Sequence, residues 1–174
     1  MKFELQEMTQ EQIDTIKGRV EDNSRQIDEI VEGIINPYVK DLDRYVGFVR
    51  DCLAEVETRP SDVELEDWCM NLSTFIYFAS GMCENLGIRD DIAKAVYKEV
   101  YNSSRSSIEK GTVADKDAQA ALYSQQEAVI SSAYTRAYKM VKSKVESAQE
   151  LLSSCKKVLS HRMQEMELTH IANN

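Results

Sequence analysis

The chain has 174 residues with 30 acidic and 21 basic side chains, a net charge of −9 that works against non-specific attraction to nucleic acid or anionic membrane. Its longest uncharged run, Trp68 to Cys83, is 16 residues and holds Asn71, Ser73, Thr74 and Ser80, too short and too polar for a membrane span of about 20 apolar residues. With only 6 Gly and 2 Pro and no period-two alternation, the fold class expected is all-α: a helical bundle with one very long C-terminal helix, oligomeric.

The start, Met1-Lys2-Phe3-Glu4-Leu5-Gln6-Glu7, carries acids where a secretion signal needs an apolar core. Cys52, Cys69, Cys83 and Cys155 have no zinc-site spacing. Without a signal they are expected to be free thiols of a reducing cytoplasm.

The first helix is expected over about residues 9–35, opened by a capping box of Thr9 and Gln12. Ile13, Val20, Ile27 and Ile34 fall seven apart, Ile16 and Ile30 lie on the companion seam, and Asn23 fills the missing position. This is a short heptad pattern with one polar seam residue. Two readings stay open: a coiled-coil or oligomer contact, and an amphipathic helix packed on its own domain. Asn36-Pro37 is expected to start a second helix, with proline in its first turn and one broad apolar face from Tyr38 to Val56. The break Thr58-Arg59-Pro60-Ser61-Asp62 divides the chain into an acidic N-terminal hairpin or oligomerisation arm, 1–58, and a helical core, 62–174.

A third helix over about 62–86 should bury Trp68, Leu72, Phe75, Ile76, Ala79, Met82 and Leu86, and Gly87 is its expected C-cap. A fourth runs from about Asp90 to Lys110 and stops at Gly111. Thr112–Asn174 contains neither Gly nor Pro, so one helix of about 50–55 residues, roughly 75–80 Å long, can fill it. Its apolar stripe, Ile130 to Met166 through Ala137, Val141, Val145, Ala148 and Cys155, has the spacing of a straight helix. A helix of that length overruns a compact domain and must bend, project or be covered by another subunit.

Charge is unevenly spread. Residues 1–67 carry 8 basic and 18 acidic side chains, and residues 136–174 carry 7 and 4, so the two ends are separate surfaces or partners for each other.

No catalytic constellation appears: no phosphate loop, nucleophile elbow or cofactor motif. The expectation is a non-enzyme without cofactor or metal. Glu167-Leu168-Thr169-His170 is one copy of a unit that di-iron bundles need twice. The most informative polar feature is on the fourth helix. Lys94, Lys98, Tyr101 and Arg105 share one narrow stripe, Lys110 and Lys116 continue the cations into the loop, and Ile92, Ala93, Val96 and Val100 form the face expected to pack inward. Cations around an aromatic ring suit a single nucleic-acid strand, the charges tracking phosphates and the ring stacking a base. The alternative is a solvated face with an ordinary surface tyrosine.

Over about residues 68–168 the layout resembles the UvsY-type recombination mediators of tailed phages. The resemblance lies in Phe75-Ile76-Tyr77-Phe78, then Lys94-Ala95-Val96-Tyr97-Lys98-Glu99-Val100-Tyr101, then Thr112-Val113-Ala114-Asp115-Lys116-Asp117, and last Leu151-Leu152-Ser153-Ser154-Cys155 with Leu159-Ser160-His161-Arg162. It implies a homo-oligomer that binds single-stranded DNA and helps load a RecA-type recombinase onto strands coated by single-strand-binding protein. The cytoplasm of an infected bacterial host would be its location, without a membrane. Lys94, Lys98, Tyr101 and Arg105 would be the DNA-contact helix. Ile13, Ile16, Val20, Ile27, Ile30 and Ile34 would then organise the oligomer. The rival reading is an α-helical scaffold or protein-interaction adaptor without nucleic-acid binding.

Overall fold

A computed structural model describes residues 9–55 and 59–172. The Met1–Glu7 stretch, Val56, Thr58 and the side chains of Asn23 and His170 lie outside the described residues. Among those described there is no strand. The chain forms α1 (Gln10–Ala54), α2 (Asp62–Ser107), α3 (Val113–Tyr123) and α4 (Gln125–Ala172).

Each of the first three helices opens with a capping box. Thr9 pairs with Gln12, Ser61 with Glu64, and Thr112 with Asp115, so the side chains at each start satisfy orphan backbone donors reciprocally. Glu64 and Asp115 are held below the ordinary carboxylate range by those hydrogen bonds from Ser61 and Thr112. Gly111, at φ +124°, makes the turn between α2 and α3 in a conformation that side chains rarely adopt.

Two expected breaks are not breaks. Pro37 lies inside α1 rather than starting a new helix, so no hairpin forms within residues 10–54. An interior proline costs about 3 kcal/mol. Val31, Ile35, Val39 and Leu42 lie on both sides of it along one buried stripe, each at most 7% exposed, and burying such a side chain is worth about 1.5–3 kcal/mol. Packing wins, and Gly33 and Pro37 themselves lie on the exposed side of the helix. Gly87 is likewise an interior residue of α2, not a C-cap. It is there for contact: a Cβ built on it would lie 3.2 Å from the Tyr138 ring of α4.

The expected single C-terminal helix is interrupted at Ser124. The buried Ser124 hydroxyl donates to the Ala120 carbonyl at 2.8 Å, sharing that acceptor with its own backbone N–H. The ladder still crosses the interruption, since Ser124 N donates to Ala120 O and Ala128 N donates to Ser124 O, both at 3.0 Å. The long helix α4 follows.

α1, α2 and α4 form an up-down-up bundle of helices about 70 Å long, in which α2 packs most extensively on α4. One core cluster centres on Leu65, Trp68 and Leu72 of α2 with Val49 of α1 and Ala148 and Cys155 of α4. The other joins Val31, Ile35 and Val39 to Leu86 and to Ala133, Ala137 and Val141. Polar ties span the surface between helices. Lys144 donates to Asp43 at 2.7 Å, Arg136 lies 3.9 Å from Asp28, and Arg162 donates to the Pro60 carbonyl and to Asp62. The basic α4 thus meets acids of α1 in the same chain.

All four cysteines are free. Burial pushes the thiols of Cys69, Cys83 and Cys155 up, which suppresses their nucleophilic form. No described helix is long and apolar enough to cross a membrane.

Gly87→Leu is expected to lower stability by about 1–3 kcal/mol, because the added side chain must displace the Tyr138 ring. Urea denaturation of the variant beside the wild type checks this.

Candidate nucleic-acid interface

The phase of α2 decides where its polar residues point. Because the helix is continuous, Ala79, Cys83 and Leu86 fix the inward face, and Asp90 follows on it, 4% exposed. Tyr97, Val100 and Tyr101 come next, all half-buried. The expected inward face is therefore rotated: Ala93 and Val100 are half-buried, whereas Ile92 and Val96 are exposed at 57% and 45%. These two line an open groove with Arg89 of α2 and Gln126, Glu127, Ile130 and Tyr134 of α4.

Asp90 is the anchor of the region. Thr135 of α4 donates its hydroxyl to one carboxylate oxygen at 2.6 Å, and Lys94 donates to the other at 2.7 Å. Burial pushes the Asp90 carboxyl up, but the hydrogen bonds from Lys94 and Thr135 outweigh it and hold the group below the usual carboxylate range. Lys94 is thereby tied back along its own helix.

Asp117 is the matching anchor at the far end of the stripe. Arg105 pairs with it through Nε, and the Tyr101 hydroxyl donates to it at 3.3 Å, joining α2 to α3. Burial and the Asp117 carboxylate together push the Tyr101 hydroxyl up. Tyr97 stands beside Tyr101 with ring centroids 6.3 Å apart. Lys98 is exposed and makes no ion pair among the described residues. Lys110 is exposed in the α2–α3 loop, and Lys116 reaches back to the Glu109 carbonyl at 3.4 Å.

The six expected contact residues therefore share one end of the bundle, but three of the four stripe residues are engaged by carboxylates. From the sequence Asp90 is legible only as an acid near the stripe that weakens its field, and Asp117 has no assigned role. Asp90 sits four residues after Leu86 and four before Lys94, a spacing that marks it as an inward-facing partner once Gly87 is read as interior.

The expected oligomerisation residues divide. Ile27 and Ile34 pack against the second core cluster of their own chain. Ile13 is half-buried, and Ile16, Val20 and Ile30 are exposed. His161 lies 3.5 Å from Glu165, and no three metal-ligating side chains converge among the described residues. Comparison with known proteins finds no matching family model, no similar curated protein and no similar solved structure.

Asp90→Asn is expected to cost about 2 kcal/mol at neutral pH, because the Lys94 and Thr135 donors lose their charged acceptor. The carboxyl is depressed in the folded state, so its contribution is complete above about pH 4, the unfolded carboxylate value, and fades as pH falls through the folded one. Denaturation of wild type and variant at pH 7 and pH 3 should show the gap narrowing in acid.

Proposed function

We propose that this chain is a recombination mediator that binds single-stranded DNA and assists loading of a RecA-type recombinase. The observation that carries the reading is the gathering of Lys94, Lys98, Arg105, Lys110 and Lys116 around the Tyr97–Tyr101 pair at one end of the bundle. The resemblance of residues 68–168 to UvsY-type mediators supports it, and supplies the recombinase and the single-strand-binding protein as partners. In this mechanism Lys98 and Lys110 meet phosphates first. Arg105 then exchanges Asp117 for a phosphate, which its planar fork can hold through two bonds. The exchange exposes the Tyr101 edge to a base. Because Asp90 and Asp117 compete for the same cations, affinity is modest and falls steeply with salt.

The same ion pairs favour a second reading, an α-helical adaptor for proteins alone, since cations already neutralised by carboxylates attract phosphate weakly.

Fluorescence anisotropy of labelled single-stranded DNA, at low and physiological salt, separates the two. The mediator reading expects saturable binding that Lys98→Ala with Arg105→Ala weakens about tenfold, with a salt slope shallower by roughly one to two. Undiminished binding by the double variant removes this site, and no binding at low salt leaves the adaptor.

A further inference from the structure

α2 is apolar on two opposite faces. Opposite its buried stripe, Val63, Met70, Tyr77, Ile88 and Ile92 point to solvent at 57–75% exposure. With Gly81 they fall within an arc of about 60° at 100° per residue. Phe78 and Val96 widen the stripe on one side, at 60% and 45%. These side chains together expose on the order of 800 Å², about what each partner of a standard interface buries. A helix apolar on both faces is stable in water when both are covered.

We propose that this face of α2 is the contact between two copies of the chain, packed antiparallel about a two-fold axis at Gly81. Charge selects that arrangement. The flank carries Glu66, Glu84 and Asp91, Asp67 lies within the stripe, and Arg89 is the only cation between Asp62 and Lys94, so an anionic lipid or nucleic-acid surface is repelled. A parallel pair sets Glu66, Asp67 and Glu84 against their own copies. The antiparallel pair does not: Asp67 lies across from Ala95, Glu84 across from Phe78, and Asp91 across from Asn71.

In the same register Met70 lies opposite Ile92, while Ile88 faces Thr74 and Tyr77 faces Asn85. Nothing lies within 4 Å of where a Gly81 Cβ would be, so the helices can approach closely at the axis. Met70 of the second copy then meets the groove of about 480 Å³ beside Ile92 and Val96, an irregular gap that a flexible thioether fills well. A two-fold contact uses one patch twice, so a single self-complementary stripe is sufficient.

Sedimentation equilibrium of the full chain without DNA tests this apart from the nucleic-acid reading. Wild type should fit a dimer, and Met70→Lys with Ile88→Lys should raise the dissociation constant at least about a hundredfold, with circular dichroism unchanged because both side chains point away from the core. A monomeric wild type, or a dimer that survives both substitutions, overturns the proposal. Direction is read by mixing Met70→Cys and Ile92→Cys chains with a short bismaleimide: cross-links from 70 to 92 are expected, and links from 70 to 70 refute the antiparallel register.

Discussion

The close approach of α4 to α2 is the constraint on which the other features depend. α4 presents Ala133, Ala137 and Ala148 with Val141 and Val145 to its neighbours, and the three alanines are fully buried. Small side chains let helix axes come toward the short end of the usual 8–10 Å range. The volume is filled instead by α2, through Trp68, Leu72 and Leu86. Gly87 lets the Tyr138 ring in at the same seam. That spacing brings Thr135 within 2.6 Å of Asp90, and a wider one would leave a buried carboxylate short of a donor. Because the continuous α2 carries its phase onward from Leu86, the seam also decides that Tyr101 and Arg105 face Asp117.

Much of the architecture is legible in the sequence, because helix starts carry strong local chemistry. The Thr9 box is readable with its partner Gln12, and Ser61 is one of two caps expected after Pro60. The buried faces of the third expected helix and of α4 follow from three-and-four spacing: Trp68, Leu72, Ile76, Ala79 and Leu86 are buried, as are Ala137, Val141, Val145, Ala148 and Cys155. The ends of the α4 stripe are not, since Ile130, Met163 and Met166 are exposed. Helix ends are harder. Pro37 and Gly87 are breakers by local propensity, and tertiary burial on both sides overrides each. Ser124 gives no breaking signal, since Ser73 and Thr74, with the same bond to the carbonyl four residues back, sit inside an unbroken helix.

The candidate site is half legible for a related reason. Sequence spacing groups Lys94, Lys98, Tyr101 and Arg105 correctly on one stripe, but it does not say what the stripe faces. A break at Gly87 would leave the second piece of α2 with no fixed phase, and Ile92 and Val96 then look like its core. With the helix whole, the inward line runs through Asp90 and Tyr97. Asp117, distant in sequence, meets the stripe only through the turn at Gly111.

The bundle sets helices of 45, 46 and 48 residues side by side, with its buried side chains in two clusters along their length. Its core is therefore a line and not a volume: each buried side chain lies one layer from solvent along the whole rod. Its two core clusters lie end to end, so each length of the rod is held by its own short set of side chains.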